Sequence, residues 1–200
     1  MIKNIVFDIG QVLLTFEPEN YLNKYIEDRD KINSLAQITF RSKKWLKLDR
    51  GEWDIEEAVD YFIKHHPEYA EIIKKAVESW TDMLNPIEDT IEILKYVKNR
   101  GYNTYILSNF PEQGFRQIYS HFSFWDYLDG IIISAQEGYI KPEKELYEIL
   151  LNRFELKPEA TLFIDDSKKN IEGARKAGMK GIVFTNSEKL KKQLQNYNIL

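Results

Sequence analysis

The sequence predicts an α/β fold, a doubly wound, Rossmann-like parallel sheet interrupted by an inserted α-helical domain. Three observations carry that prediction. Five short apolar runs recur along the 200-residue chain, and from residue 84 onward each is followed by a helical pattern. The runs are apolar throughout instead of alternating, as strands covered on both faces require. Residues 15–83, between the first run and the rest, hold amphipathic helical patterns and no convincing strand.

The first strand is Ile5-Val6-Phe7, which delivers Asp8 to its end. In the helical segment that follows, Asp54 can cap a helix whose apolar face is Ile55, Ala58, Val59 and Phe62, since a carboxylate accepts from the free N–H groups of a first turn. A second helix after Pro67 presents Ile72, Ile73, Ala76, Val77 and Trp80. The next helix starts at Asn85-Pro86, buries Ile87, Ile91, Leu94 and Val97, and stops at Gly101. It leads into the second strand, Tyr105-Ile106-Leu107. The third strand, Ile131-Ile132-Ile133, precedes the stripe Leu146, Ile149 and Leu150. The fourth, Leu162-Phe163-Ile164, precedes Ile171 and Ala174, and the fifth, Ile182-Val183-Phe184, precedes Leu190 and Leu194. Strand–helix alternation of this kind defines a doubly wound domain. Residues 1–14 and 84–200 are therefore expected to form the core and residues 15–83 a helical cap, because the interruption far exceeds an ordinary βα connection.

Composition narrows the function. The chain is 43% hydrophobic and 30% charged, with a net charge of −4 and both signs mixed along its length. No polyanion-binding face follows from that balance, so nucleic acid is not an expected partner. Without cysteine there is neither a disulfide framework nor a thiolate metal site. No run approaches the ~18 apolar residues of a membrane span, and the N-terminus enters a strand at once. A cytoplasmic protein with no membrane partner is the expectation; the oligomeric state is left open.

The strand ends carry the chemistry, because open α/β sheets bind ligands beyond the carboxyl ends of their strands. The first ends at Asp8, and the second gives Ser108 and Asn109. Lys141-Pro142 follows the third, and the fourth delivers Asp165, Asp166 and Ser167, with Asn170 a turn later. Asp8 and Asp166 suit a hard divalent ion such as Mg²⁺, which prefers oxygen ligands. A carboxylate attacking phosphorus needs surrounding negative charge neutralised, which a metal and a lysine supply. Lys141 is the obvious cation, with Asp165 placed to orient it, and Ser108 can donate to a phosphate oxygen. Ser108-Asn109 is also ordinary turn chemistry, and Asp165-Asp166-Ser167 also suits a helix cap. Two adjacent carboxylates exceed what a cap requires.

Taken together and in order, FDIGQVLL, ILSN, the lysine of GYIKPEKELY, and FIDDSKKNIEGARKAG resemble the four motifs of the haloacid dehalogenase-like hydrolase superfamily. Residues 15–83 fall where its helical-cap branch carries the cap. The resemblance implies a Mg²⁺-dependent phosphatase of small phosphorylated metabolites, with Asp8 as the nucleophile that forms an aspartyl-phosphate. It implies phosphate binding by Ser108, Asn109 and Lys141. It also implies metal ligation by Asp8, the Gly10 backbone carbonyl and Asp166, supported by Asp165 and Asn170. Trp45 and Arg50, among the aromatic and charged residues of the cap, are the expected substrate-selecting pair.

Gly10 is the departure. Most family phosphatases carry there the aspartate that protonates the leaving alcohol and later activates water. A positioned acid/base contributes about 10²–10⁴ in rate, so its loss implies slow turnover, better leaving groups, or a proton donor elsewhere. A glycine-bearing first motif is similar to that of sugar-phosphate phosphatases, including those acting on α-D-glucose 1-phosphate, which makes sugar phosphates the first expectation. Two other readings stay open: a 2-haloacid dehalogenase, which needs no metal, and a non-catalytic binder of phosphorylated ligands.

Overall fold

A computed structural model describes all 200 residues. Strand β1 (Asn4–Phe7) is followed by five helices, α1 (Pro18–Leu22), α2 (Arg29–Ile38), α3 (Trp45–Asp49), α4 (Ile55–His65) and α5 (Ala70–Glu78). Then come α6 (Glu88–Asn99), β2 (Asn103–Ser108), α7 (Glu112–His121), β3 (Gly130–Ile133) and α8 (Ser134–Glu137). The chain closes with α9 (Lys144–Arg153), β4 (Thr161–Asp165), α10 (Lys168–Lys176), β5 (Lys180–Val183) and α11 (Ser187–Asn196). The five strands form one parallel sheet in the order β3-β2-β1-β4-β5, with β1 central. The expected α/β class and all five strands are present.

Both sheet faces are covered, which is why the strands read as unbroken apolar runs. Val6, Leu107, Ile132 and Phe163 pack on one face with Leu146 and Leu150 of α9 and Ile171 and Ala174 of α10. Ile5, Phe7, Ile106 and Ile164 point the other way, toward Ile91 and Leu94 of α6 and Leu190 and Leu194 of α11. That second cluster continues into the helices between β1 and α6.

Local chemistry explains several boundaries. Asp54 accepts from the Glu57 N–H at 2.8 Å while the Glu57 carboxylate accepts from the Asp54 N–H at 2.9 Å. This reciprocal cap satisfies two free donors at the start of α4. Asp28 caps α2 through its own side chain. The helix expected from Asn85-Pro86 begins instead at Glu88. Pro86 is bridged to Leu14, the Thr15 N–H donates to the Asn85 carbonyl at 2.8 Å, and the Ile87 N–H donates to the Leu13 carbonyl at 2.8 Å. The two stretches of chain that lead into and out of the helical segment therefore pair, and this pairing outcompetes an earlier helix start.

The helical segment sits on the carboxyl edge of the sheet through two close approaches that only glycine permits. A Cβ on Gly114 of α7 would lie 2.2 Å from the Trp80 ring. Gly51, at φ +75°, would place a Cβ 2.4 Å from the Ala135 carbonyl oxygen.

Candidate active site

Parallel register gathers the chemistry-bearing residues. Phe7 lies opposite Ile106 on one side and Ile164 on the other, so Asp8 stands level with Leu107 and Asp165. The Asp8 N–H donates to the Ile164 carbonyl at 2.9 Å, which ties its backbone to the sheet. Its side chain is equally constrained. Oδ1 accepts from the Ser108 hydroxyl at 2.7 Å and the Ile9 N–H at 2.7 Å, and Oδ2 lies 2.8 Å from Lys141 Nζ.

Lys141 is only 3% exposed, and its ammonium also donates to Asp165 Oδ2 at 2.7 Å and the Leu107 carbonyl at 3.1 Å. Burial alone would lower its pKa; Asp165 and Asp8 outweigh burial and hold it above the usual lysine value. Burial pushes the Asp8 carboxyl up to about 8, while Lys141 pulls it back toward the ionised form that a nucleophile needs. Asp165 is fully buried, and both its oxygens are engaged by Lys141, the Asn170 amide at 3.1 Å and the Ser167 N–H at 2.7 Å.

Asp8, Asp165 and Asp166 each place a carboxylate oxygen within 4.8 Å of the others. Three carboxylates against one ammonium leave an excess of negative charge. Lys141 pairs with Asp8 and Asp165, leaving Asp166 without an ion pair. Burial, with Asp165 adding to it, raises the Asp166 pKa. The Gly10 carbonyl accepts no hydrogen bond from the turns and loops around it. An all-oxygen donor set with unneutralised charge fits a hard divalent cation.

Six of the residues expected from the sequence thus converge: Asp8, Ser108, Lys141, Asp165, Asp166 and Asn170. Asn109 lines the cleft with Asp8 and Asp166, and one other, Arg50, has different surroundings from those expected. The Asn109 amide is exchanged with the backbone of Lys141, donating to its carbonyl at 3.1 Å and accepting from its N–H at 2.7 Å, so it positions the lysine's loop. Arg50, expected to face substrate, does not line the cleft. Its guanidinium is fixed bidentately on Glu143 at 2.6 and 2.8 Å and donates to the Gly138 carbonyl at 3.2 Å. It ties the end of α3 to the loop that carries Lys141, and the Ser134 hydroxyl reinforces this by donating to the Asp49 carbonyl.

Above Asp8 a cleft of about 320 Å³ opens between sheet edge and helices. Trp45 lines it, as expected, together with Phe16, Phe40, Trp80 and Phe110. Trp45 lies 4.9 Å from Phe40 and 5.5 Å from Trp80, which in turn lies 5.1 Å from Phe110. The cleft also contains Asp49, which the sequence reading did not select. A signal was available. In WLKLD, Trp45, Leu48 and Asp49 occupy one helical stripe, so a carboxylate stands where burial is expected.

A solved fold relative shares this architecture. A haloacid dehalogenase family enzyme of Bacteroides thetaiotaomicron, in complex with magnesium and inorganic phosphate, superposes with a TM-score of 0.73 over 93% of this chain and 96% of its own, at 21% identity. Haloacid dehalogenase-like hydrolase is also the family whose model matches residues 18–184. The chain belongs to that family and is a hydrolase. Among individual relatives it is 28% identical over 185 residues to a sesquiterpene phosphatase of Aspergillus oryzae, covering 92% of this chain and 91% of that one. It is 26% identical over 192 residues to the D-ribitol-5-phosphate phosphatase of Bacteroides thetaiotaomicron, covering 89% of each. No helix is long and apolar enough to cross a membrane.

Proposed function

We propose that this hydrolase is a Mg²⁺-dependent phosphatase of small phosphorylated metabolites that works through an aspartyl-phosphate on Asp8. The single observation that carries the reading is the Asp8 carboxylate held at a strand end by Ser108, Ile9 N–H and Lys141, beside two further carboxylates. The named phosphatases among its relatives support it.

Asp8 Oδ attacks phosphorus, and Lys141, fixed by Asp165, balances the charge that gathers on the transferring phosphoryl group. Ser108 orients the carboxylate before attack and is free to turn its donor to a phosphate oxygen. Asp8, the Gly10 carbonyl and Asp166 would hold Mg²⁺, whose charge screens the phosphate from the nucleophile. Asn170 and Asp165 support that set from behind. Residues 15–83 act as the cap that closes the cleft, with 1–14 and 84–200 as the catalytic core. Trp45 contributes to substrate selection and Arg50 to cap placement.

For the alcohol portion of the substrate, sugar phosphates suit the polar rim of Arg41, Ser42 and Lys43. The aromatic wall of Phe16, Phe40, Trp45, Trp80 and Phe110 favours a second reading, the phosphate of an apolar alcohol. The test is phosphate release from a panel of sugar, isoprenoid and aryl phosphates, with Mg²⁺ and with EDTA. Metal-dependent release supports the proposal, and the preferred substrate decides between the two alcohol classes. Halide release from 2-haloacids without metal, and no phosphate release, would overturn it.

A further inference from the structure

Gly10 leaves the reaction without its customary proton donor, yet the cleft contains one carboxyl that neither the nucleophile nor the metal set uses. Asp49 is the last residue of α3 and is 8% exposed. Its backbone carbonyl is held by the Ser134 hydroxyl, but its carboxyl takes part in no hydrogen bond or ion pair, and it lines the same cleft as Asp8 and Gly10. Its carboxyl oxygens are not sealed in the core but remain accessible from the cleft. Asp49 also stands apart from the three carboxylates gathered for a cation. The other charged side chains lining the cleft besides Asp8 and Asp166 are Arg41 and Lys43, and no histidine lines it. Arg41 is fixed bidentately on Glu19.

Resting on the phosphatase reading above, we propose that Asp49 is the general acid and base of this enzyme, supplied from the helix above the cleft in place of the side chain that Gly10 lacks. In the first step an Asp8 oxygen bonds to phosphorus and the ester P–O bond breaks. The proton of the Asp49 carboxyl passes to the leaving oxygen, releasing the alcohol. In the second, water gives a proton to the Asp49 carboxylate as its oxygen bonds to phosphorus. The P–O bond to Asp8 then breaks, so phosphate leaves with both carboxyl groups restored. Burial, partly opposed by Lys141, brings the Asp49 pKa up to about 7, near the value at which one group serves both directions.

The arrangement has a consequence for Gly10. A Cβ there would meet nothing within 4 Å, and the residue is not in the left-handed region, so Gly10→Asp is compatible with the fold. A second position for the acid is thus available by mutation.

The test compares wild type, Asp49→Asn, and Asp49→Asn combined with Gly10→Asp, each with Mg²⁺, on an alkyl phosphate and on 4-nitrophenyl phosphate. Asp49→Asn should lose about 10²–10⁴-fold on the alkyl ester. On the nitrophenyl ester, whose phenolate leaves without a proton, it should show a burst of one nitrophenolate per enzyme followed by slow turnover. Adding Gly10→Asp to the Asp49→Asn variant should restore alkyl turnover. Equal losses on both esters with no burst, and no rescue, would mean that Asp49 only supports the structure. Alkyl turnover unchanged in Asp49→Asn overturns the proposal directly. Failure of the phosphatase reading is distinguishable, since wild type would then hydrolyse neither ester and the proposal would fall with it. Asp49→Glu gives the same comparison if the asparagine variant does not fold, with partial alkyl activity expected and full alkyl activity overturning the assignment.

Discussion

The sheet edge and the helical segment above it treat buried charge in opposite ways. At the edge every buried ion is paired: Asp8 has Ser108, Ile9 N–H and Lys141, and Asp165 has Lys141, Asn170 and Ser167 N–H. Over the cleft the Asp49 carboxyl, accessible from the cleft, takes part in no hydrogen bond or ion pair. Pairing fixes geometry and holds protonation states; absence of pairing leaves a group free to exchange a proton. Under the proposed mechanism the two regions divide the work, with Asp8 preorganised by the sheet edge and the proton and the alcohol portion of the substrate handled by the helical segment.

The largest effect should come from breaking the paired side. Asp8→Asn should abolish phosphate release with every substrate, while circular dichroism shows an intact fold. Measurable turnover in that variant would remove Asp8 from the mechanism. Next, Asp166→Asn, which leaves the Lys141 pairs untouched, should shift the Mg²⁺ titration of activity to higher concentration, because a hard cation loses one charged oxygen ligand. EDTA should silence wild type, and added Mg²⁺ should restore it. An unchanged titration curve would place the cation elsewhere.

The unpaired side predicts a pH-dependent stability difference. The Asp49 pKa is raised by burial from 3.8 to about 7, so the folded protein binds a proton that the unfolded chain has released across that interval. The wild-type contribution of this residue therefore falls as pH rises from about 4 to about 7 and stays low above it. Asp49→Asn, which cannot ionise, should be more stable than wild type by a few kcal/mol at about pH 8 in EDTA, with the gain vanishing near about pH 4. Denaturant unfolding at the two pH values measures it, and a gain independent of pH would show that folding does not raise the Asp49 pKa.

Much of this division was legible in the sequence. Continuous apolar runs followed by polar strand ends gave the sheet, and the ordered spacing of Asp8, Ser108, Lys141 and Asp165-Asp166 gave the edge, because parallel register converts strand-end position into proximity. The helical segment was less legible for a physical reason. Its cleft side is set by how short helices pack, so the expected substrate-facing role of Arg50 gave way to a Glu143 pair across chain-distant elements. Asp49 was hidden among charged neighbours, and only its place on the buried stripe of α3 distinguishes it from them. The pairing of linkers at Leu14 and Pro86 is likewise a long-range contact, with no local signature beside the helix-like Asn85-Pro86.

The smallest effect follows from that correction. Arg50→Ala should destabilise the protein by about 1 kcal/mol, as for a partly exposed ion pair, and leave relative rates across the substrate panel unchanged. A reordering of substrate preference would return Arg50 to the substrate-facing set.

The most direct test of the central claim is to trap the acyl phosphate. Enzyme quenched during turnover, reduced with borohydride and mapped by peptide mass spectrometry should carry homoserine at position 8, the product of reducing an aspartyl-phosphate, and Asp8→Asn should carry none. Steady phosphate release with an unmodified Asp8 in the quenched wild-type enzyme would contradict the covalent mechanism.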